Sequence, residues 1–142
     1  MATRTPLGTQ RIVPYLIYAD APAAIAFLCD AFGFRERFRV KVPDGRIGHA
    51  ELSYGGDVGK LASVWEGFGD SPLKLPTVHA QVFCFVDDVD AHFARAREKG
   101  ATLVSEPAEQ HGTRSYRAVD PEGHRWIFAQ VLEAPPAQEA AP

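Results

Sequence analysis

Two stretches of the chain repeat one pattern, a short apolar strand followed by an amphipathic helix that opens on aspartate and closes on glycine. The first strand is "IVPYLIYA" (12–19), rich in β-branched and aromatic residues. Asp20 follows as the helix N-cap, and Pro22 falls in the first turn, where a missing N–H costs nothing. Ile25, Leu28, Cys29 and Phe32 then recur at helical spacing as one apolar stripe, and Gly33 stands where a left-handed C-terminal residue belongs. The second strand is "AQVFCFV" (80–86). Asp87, with Asp90 three residues on, resembles a capping box; Val89, Phe93 and Ala96 form the stripe, and Gly100 ends it. Both aspartate-to-glycine spans are 13 residues, and one offset of 67 carries Asp20 onto Asp87, Gly33 onto Gly100, Gly45 onto Gly112 and Gly56 onto Gly123. Most side chains between these points differ, so the repeat is one of fold.

Three further strands follow each helix, near 34–41, 46–54 and 58–66, then near 102–107, 113–119 and 124–131. Turn chemistry at Asp44-Gly45, "GGD" (55–57) and "DPEG" (120–123) separates them. The expected fold is α+β, a tandem βαβββ repeat forming one domain over 11–131. Its modules span 11–66 and 78–131 and are joined by a linker over 67–77, and the Pro/Ala-rich tail 132–142 is expected to be disordered. With 142 residues, 46% of them hydrophobic, the chain can bury a substantial core. A net charge of −3 without a basic block excludes nucleic-acid and anionic-membrane binding as expectations. No apolar run reaches the roughly 18 residues of a membrane span, and residues 1–11 hold no signal-peptide core. Cys29 and Cys84 each lie in an apolar run, as buried reduced thiols do, which fits a cytoplasmic protein.

A doubled βαβββ unit ending in "DPEGHRW" resembles the vicinal-oxygen-chelate superfamily of glyoxalase I, bleomycin-resistance proteins and extradiol dioxygenases. The likeness covers about residues 11 to 131 and is strongest at "YLIYADAPAAIAFLCDAFGF", "GRIGHAELSYGGD" and "YRAVDPEGHRWIFA". The resemblance implies a curved, incomplete barrel with helices outside, a ligand cavity on the concave side, and a homodimer. It also implies four metal-ligand positions on the concave strands. These fall on Val13 or Pro14, on Glu51, on Gln81 and on Ile127, of which only Glu51 is a strong ligand. A displaced site of His49, Glu51 and His79 is the fallback, since period-2 alternation puts each histidine on its neighbour's face.

Alternation assigns the remaining side chains. Tyr15, Ile17, His49, Glu51, Ser53, Gln81, Phe83, Arg114, Tyr116, Arg125 and Ile127 are expected to face the cavity, with Trp65 closing one mouth. Glu51 opposite Arg114 or Arg125 also reads as a plain ion pair. In "AVDPEGHRWIFAQ" (118–130), Trp126 and Phe128 fall on the helix-covered side as core, and His124 is expected to bond turn carbonyls rather than to catalyse. Two functions follow. One is a metal-free protein that binds an aromatic or planar, antibiotic-like small molecule, a cation suiting Glu51 best, with stacking on Trp65, Phe83 or Tyr116. The other is a glyoxalase-like lyase or isomerase, or a dioxygenase-type enzyme, using Zn, Ni, Fe or Mn at His49, Glu51 and His79, or using Glu51 alone as a general base. An interaction or regulatory role is the third.

Overall fold

A computed structural model describes Gly8 and residues 10–132; apart from Leu132, the tail expected to be disordered lies outside the described residues. The first module holds β1 (Tyr15–Tyr18), α1 (Ala21–Phe32), β2 (Arg35–Lys41), β3 (Ile47–Tyr54) and β4 (Asp57–Ser63). The second holds β5 (Gln81–Phe85), α2 (Val89–Glu98), β6 (Thr102–Leu103), β7 (Ala108–Gln110), β8 (Thr113–Val119) and β9 (Arg125–Val131). One sheet has the order β1-β4-β3-β2; the other runs β5-β9-β8-β6, with β7 also on β8. In both, the first strand lies parallel to the last, and the remaining pairs are antiparallel. The fold is thus the expected α+β repeat, with two open sheets and no closed barrel among the described residues.

Local chemistry explains the boundaries. The Asp20 carboxylate accepts from the Ala23 N–H at 3.1 Å, and Gly33 ends α1 at a φ of 81° that other residues resist. The second helix departs from the repeat by one residue. Asp88 rather than Asp87 is the cap, accepting from the Ala91 N–H, and the Gln130 side chain of β9 holds the next orphan N–H, that of Val89, at 2.9 Å. Of the strand expected over 102–107 only Thr102–Leu103 forms, as β6; the chain leaves the ladder before Pro107, which has no N–H to give it, and pairs with β8 again as β7 from Ala108.

The helix-covered faces of both sheets share one core. Phe32 at the end of α1 packs on Phe128 and Trp126 of β9 at centroid distances of 4.7 and 5.5 Å. The last carbonyls of α1 are then met by α2: Arg95 donates to the Asp30 and Cys29 oxygens at 2.8 and 3.1 Å. His92 Nε2–H donates to the Phe32 carbonyl at 2.9 Å, which leaves Nδ1 to accept from the Tyr116 hydroxyl at 2.6 Å. Burial lowers the His92 pKa, an effect the Phe32 carbonyl opposes and Arg95 supports. A depressed folded value places the linkage on the acid side. The contribution of His92 is complete above its unfolded value, about 6.5, and is lost as pH falls through the lower folded value. The gap in melting temperature between wild type and His92→Gln should therefore narrow as pH is lowered from neutrality; a gap that widens would contradict a neutral buried imidazole.

The turn "DPEGH" joins the modules. Asp120 Oδ2 accepts from the Tyr18 hydroxyl at 2.6 Å and from Trp126 Nε1 at 3.1 Å, while Oδ1 accepts from the Glu122 and His124 N–H groups. Glu122 accepts from the N–H groups of Ala19 and Asp20 at 2.6 and 2.7 Å and from the Ser71 hydroxyl. His124 Nε2–H donates to the Ile17 carbonyl at 2.8 Å. His124 is therefore structural, as expected, although its partner is a β1 carbonyl of the other module rather than a carbonyl of its own turn.

Candidate functional site

Cross-strand pairing shows which side chains share the sheet faces left bare by the helices. On the first module these are Tyr15 and Ile17 of β1, Lys60 and Ala62 of β4, His49, Glu51 and Ser53 of β3, and Phe38 and Val40 of β2. On the second they are Gln81, Phe83 and Phe85 of β5, Arg125, Ile127 and Ala129 of β9, and Ser115, Arg117 and Val119 of β8. The modules meet through their helix sides and the Asp120–Glu122 turn, and no strand of one sheet pairs with the other. Aromatic rings are consequently left in solvent: Tyr15 is 41% exposed, Phe38 43%, Phe83 52% and Phe85 59%.

Glu51 is the centre of the first open face and is only 7% exposed. Arg37 Nη1 and Lys60 Nζ lie 3.6 and 3.7 Å from its carboxylate, and His49 Nε2 lies at 3.8 Å. Arg37 reaches it through the irregular register between Glu36 and Phe38 in β2, and Lys60 is its direct cross-strand partner. The Tyr15 hydroxyl lies 3.1 Å from His49 Nδ1, and burial raises the Tyr15 pKa. Phe38 and Phe68 flank the group, with Phe38 against His49 at 5.6 Å and Phe68 edge-on to Tyr15 at 5.7 Å. The loop carrying Phe68 lies flush on β1, since a Cβ at Gly69 would stand 2.9 Å from Ile17 Cγ1.

The structure groups Tyr15, His49 and Glu51 as expected, and sets Gln81, Phe83 and Arg125 on the second open face. Several expectations are corrected. Tyr116 is fully buried against His92, Phe93 and Phe128, and Arg114 binds Asp90 of α2 at 2.9 Å, so both point to the helix side. The hairpin register is the reason: Tyr116 pairs with core Phe128, which turns Arg117 to the open face instead. Glu51 pairs with neither Arg114 nor Arg125 but with Arg37 and Lys60. Trp65 follows β4, and the Arg46 guanidinium covers one face of its ring at 3.6 Å; the aromatic that packs on Tyr15 is Phe68. Among the site residues that sequence reasoning missed are Arg37, Phe38, Lys60, Phe68, Phe85 and Arg117.

A divalent metal does not fit this donor set. Glu51 already faces two cations, Gln81 offers an amide, and Ile127, Val13 and Pro14 offer no side-chain lone pair. His79 is exposed ahead of β5, and among the described residues no three His, Cys, Asp or Glu side chains are grouped as ligands.

Residues 10–128 match the model of the glyoxalase/bleomycin resistance protein/dioxygenase superfamily. An uncharacterised protein of Mycobacterium bovis is 36% identical over 127 residues, 84% of this chain and 82% of that protein. TioX from Micromonospora sp. ML1 superposes with a TM-score of 0.70 at 34% identity, covering 87% of this chain and 99% of TioX. The fosfomycin resistance protein FosX of Listeria monocytogenes, solved with Mn(II) and sulfate, reaches a TM-score of 0.66 over 94% of this chain and 98% of its own, and at 17% identity it shares the fold alone.

Proposed function

Because the chain belongs to the glyoxalase/bleomycin resistance protein/dioxygenase superfamily, we propose that it binds a planar aromatic small molecule, antibiotic-like in size, without a metal, in a cavity closed by two copies of the chain. The supporting observation is where the hydrophobic surface is spent. Both sheets use their helix sides in the common core, and each leaves a ring-bearing face bare. Soluble monomers rarely leave contiguous apolar patches uncovered. A two-fold dimer that lays the second face of one copy over the first face of the other covers all of them and forms two equivalent chambers. Rings then line a concavity together with polar groups able to orient a ligand, as in small-molecule sites. The unpaired cysteines, with burial pushing the Cys84 thiol up to about 11, suit a reducing cytoplasm. No helix among the described residues is long and apolar enough to cross a membrane.

One observation favours an enzyme as the second reading: Glu51 is buried beside an imidazole that is hydrogen-bonded to a phenol, an arrangement suited to general-base chemistry. Three measurements on the purified protein test the first reading. Sedimentation should give a dimer of the 15.5 kDa chain, and a thermal-shift screen should find planar aromatic binders. A ligand at 100 times its Kd stabilises by about 2.7 kcal/mol. Metal analysis should find no stoichiometric Zn, Ni, Fe or Mn. Such a metal, lost in His49→Ala, would replace the binding reading with the enzymatic one, and a monomer at all concentrations would remove the shared chamber.

A further inference from the structure

The chain carries a net charge of −3, yet its two open faces are cationic. On the first, Arg35 pairs across from Ser53, and Arg37 and Lys60 flank Glu51. On the second, Arg117 continues the Phe83–Ile127 row onto β8 and Arg125 stands one same-face step from Ile127 along β9, and β5, β8 and β9 place no carboxylate on that face. Five cations thus share the two faces with one carboxylate. Several other acidic groups are engaged elsewhere. Glu36 is bonded to Arg39, Asp44 to Arg46 and Asp90 to Arg114, while Asp120 and Glu122 are buried in the clamp between modules. Among the described residues, neither Arg117 nor Arg125 has a carboxylate within 4.0 Å.

Resting on the proposed shared chamber, we infer that its ligand is an anion, an aromatic or planar ring system bearing a carboxylate. A cationic ligand, the sequence-based expectation, is disfavoured because Arg37 and Lys60 already offset the Glu51 charge, and a like charge entering beside them is repelled. The register supplies both parts of the recognition. Phe83 and Ile127 lie side by side as an apolar platform, Arg117 is the next residue across the sheet from Ile127, and Arg125 is one step along β9 in the same face. A ring stacked on Phe83 brings its carboxylate within reach of two guanidinium forks, whose planar paired donors match the two oxygens. Enclosure by the second copy removes water from these charges and strengthens the contact relative to an exposed surface pair.

The test titrates full-length protein calorimetrically with three probes sharing one ring system: naphthoate, neutral naphthamide and cationic naphthylmethylammonium. Naphthoate should bind most tightly, about tenfold or more above the amide, and its affinity should fall with added salt. Arg117→Gln and Arg125→Gln should each weaken naphthoate by about tenfold and naphthamide by much less, since only the carboxylate gains a charge-assisted pair with the guanidinium. Equal binding of acid and amide, or preference for the ammonium probe, overturns the anion inference while leaving the chamber intact. Failure of all three probes removes the chamber and this inference with it.

Discussion

Asp120→Ala should be the most damaging single substitution in the chain, reducing stability by about 4 kcal/mol or more. The carboxylate accepts four hydrogen bonds, from the Tyr18 hydroxyl, Trp126 Nε1 and two turn N–H groups, and it is almost entirely buried. Alanine leaves those donors facing a void, and each buried unsatisfied donor costs about 1–3 kcal/mol. Total stabilities are only about 5–15 kcal/mol, so much of the protein should be unfolded or insoluble at room temperature. Asp120→Asn is the sharper control. Asparagine keeps the volume, but its NH2 turns donors toward either the Tyr18–Trp126 pair or the turn amides, so it too should destabilise. Tyr18 offers no escape by ionising, because burial first, and then the charge of Asp120, raise its pKa well above the ordinary tyrosine range. Urea unfolding monitored by Trp fluorescence checks this. An alanine variant within about 1 kcal/mol of wild type would show that the clamp is not what joins the modules.

Truncating Phe83 and Phe85 together to alanine should have the largest effect on assembly. In a single copy both rings are more than half exposed and touch each other at 5.1 Å, so the fold of one chain gains little from them. In the proposed dimer they would form the apolar centre of one chamber wall, where removal of a buried aromatic anchor costs at least about 2 kcal/mol. The double variant should sediment as a well-folded monomer across the concentrations at which wild type is dimeric, and it should lose the thermal shift given by planar aromatic ligands. Retention of both properties would move the interface and the ligand site to some other surface.

The repeat, the helices and most strands were legible in the sequence because they depend on local rules. Caps at Asp20 and Gly33 and the apolar stripe of α1 need only the chain neighbours to be recognised, and they are realised as read. The candidate site was legible in part. His49 and Glu51 alternate correctly on β3 because Ala50 and Leu52 between them are unambiguously core. On β8, alternation gave two phases and no reason to choose. Tyr116 is amphipathic and suits either face, and the choice lay in the register of the hairpin, where Asp120 N–H bonds the His124 carbonyl. That closure sets Val119 opposite Arg125 and Arg117 opposite Ile127, so an inward Ile127 already implied an inward Arg117. Lys60 was hidden differently. It falls within the strand expected near 58–66, but the register that sets it opposite Glu51 depends on where the hairpin closes, with β4 beginning at Asp57. Arg37 was beyond sequence reading altogether, since it reaches Glu51 through an irregularity that breaks period-2 alternation.

The division of each chain into two back-to-back faces has a genetic consequence. When a chamber takes one wall from each of two molecules, damage to different walls lies in separate compartments of a mixed particle. A chain crippled at Lys60, co-expressed with one crippled at Arg125, would assemble one chamber carrying both lesions and one carrying neither. Two inactive alleles would then complement each other, restoring up to half the sites in every heterodimer, whereas two alleles hit on the same wall would not.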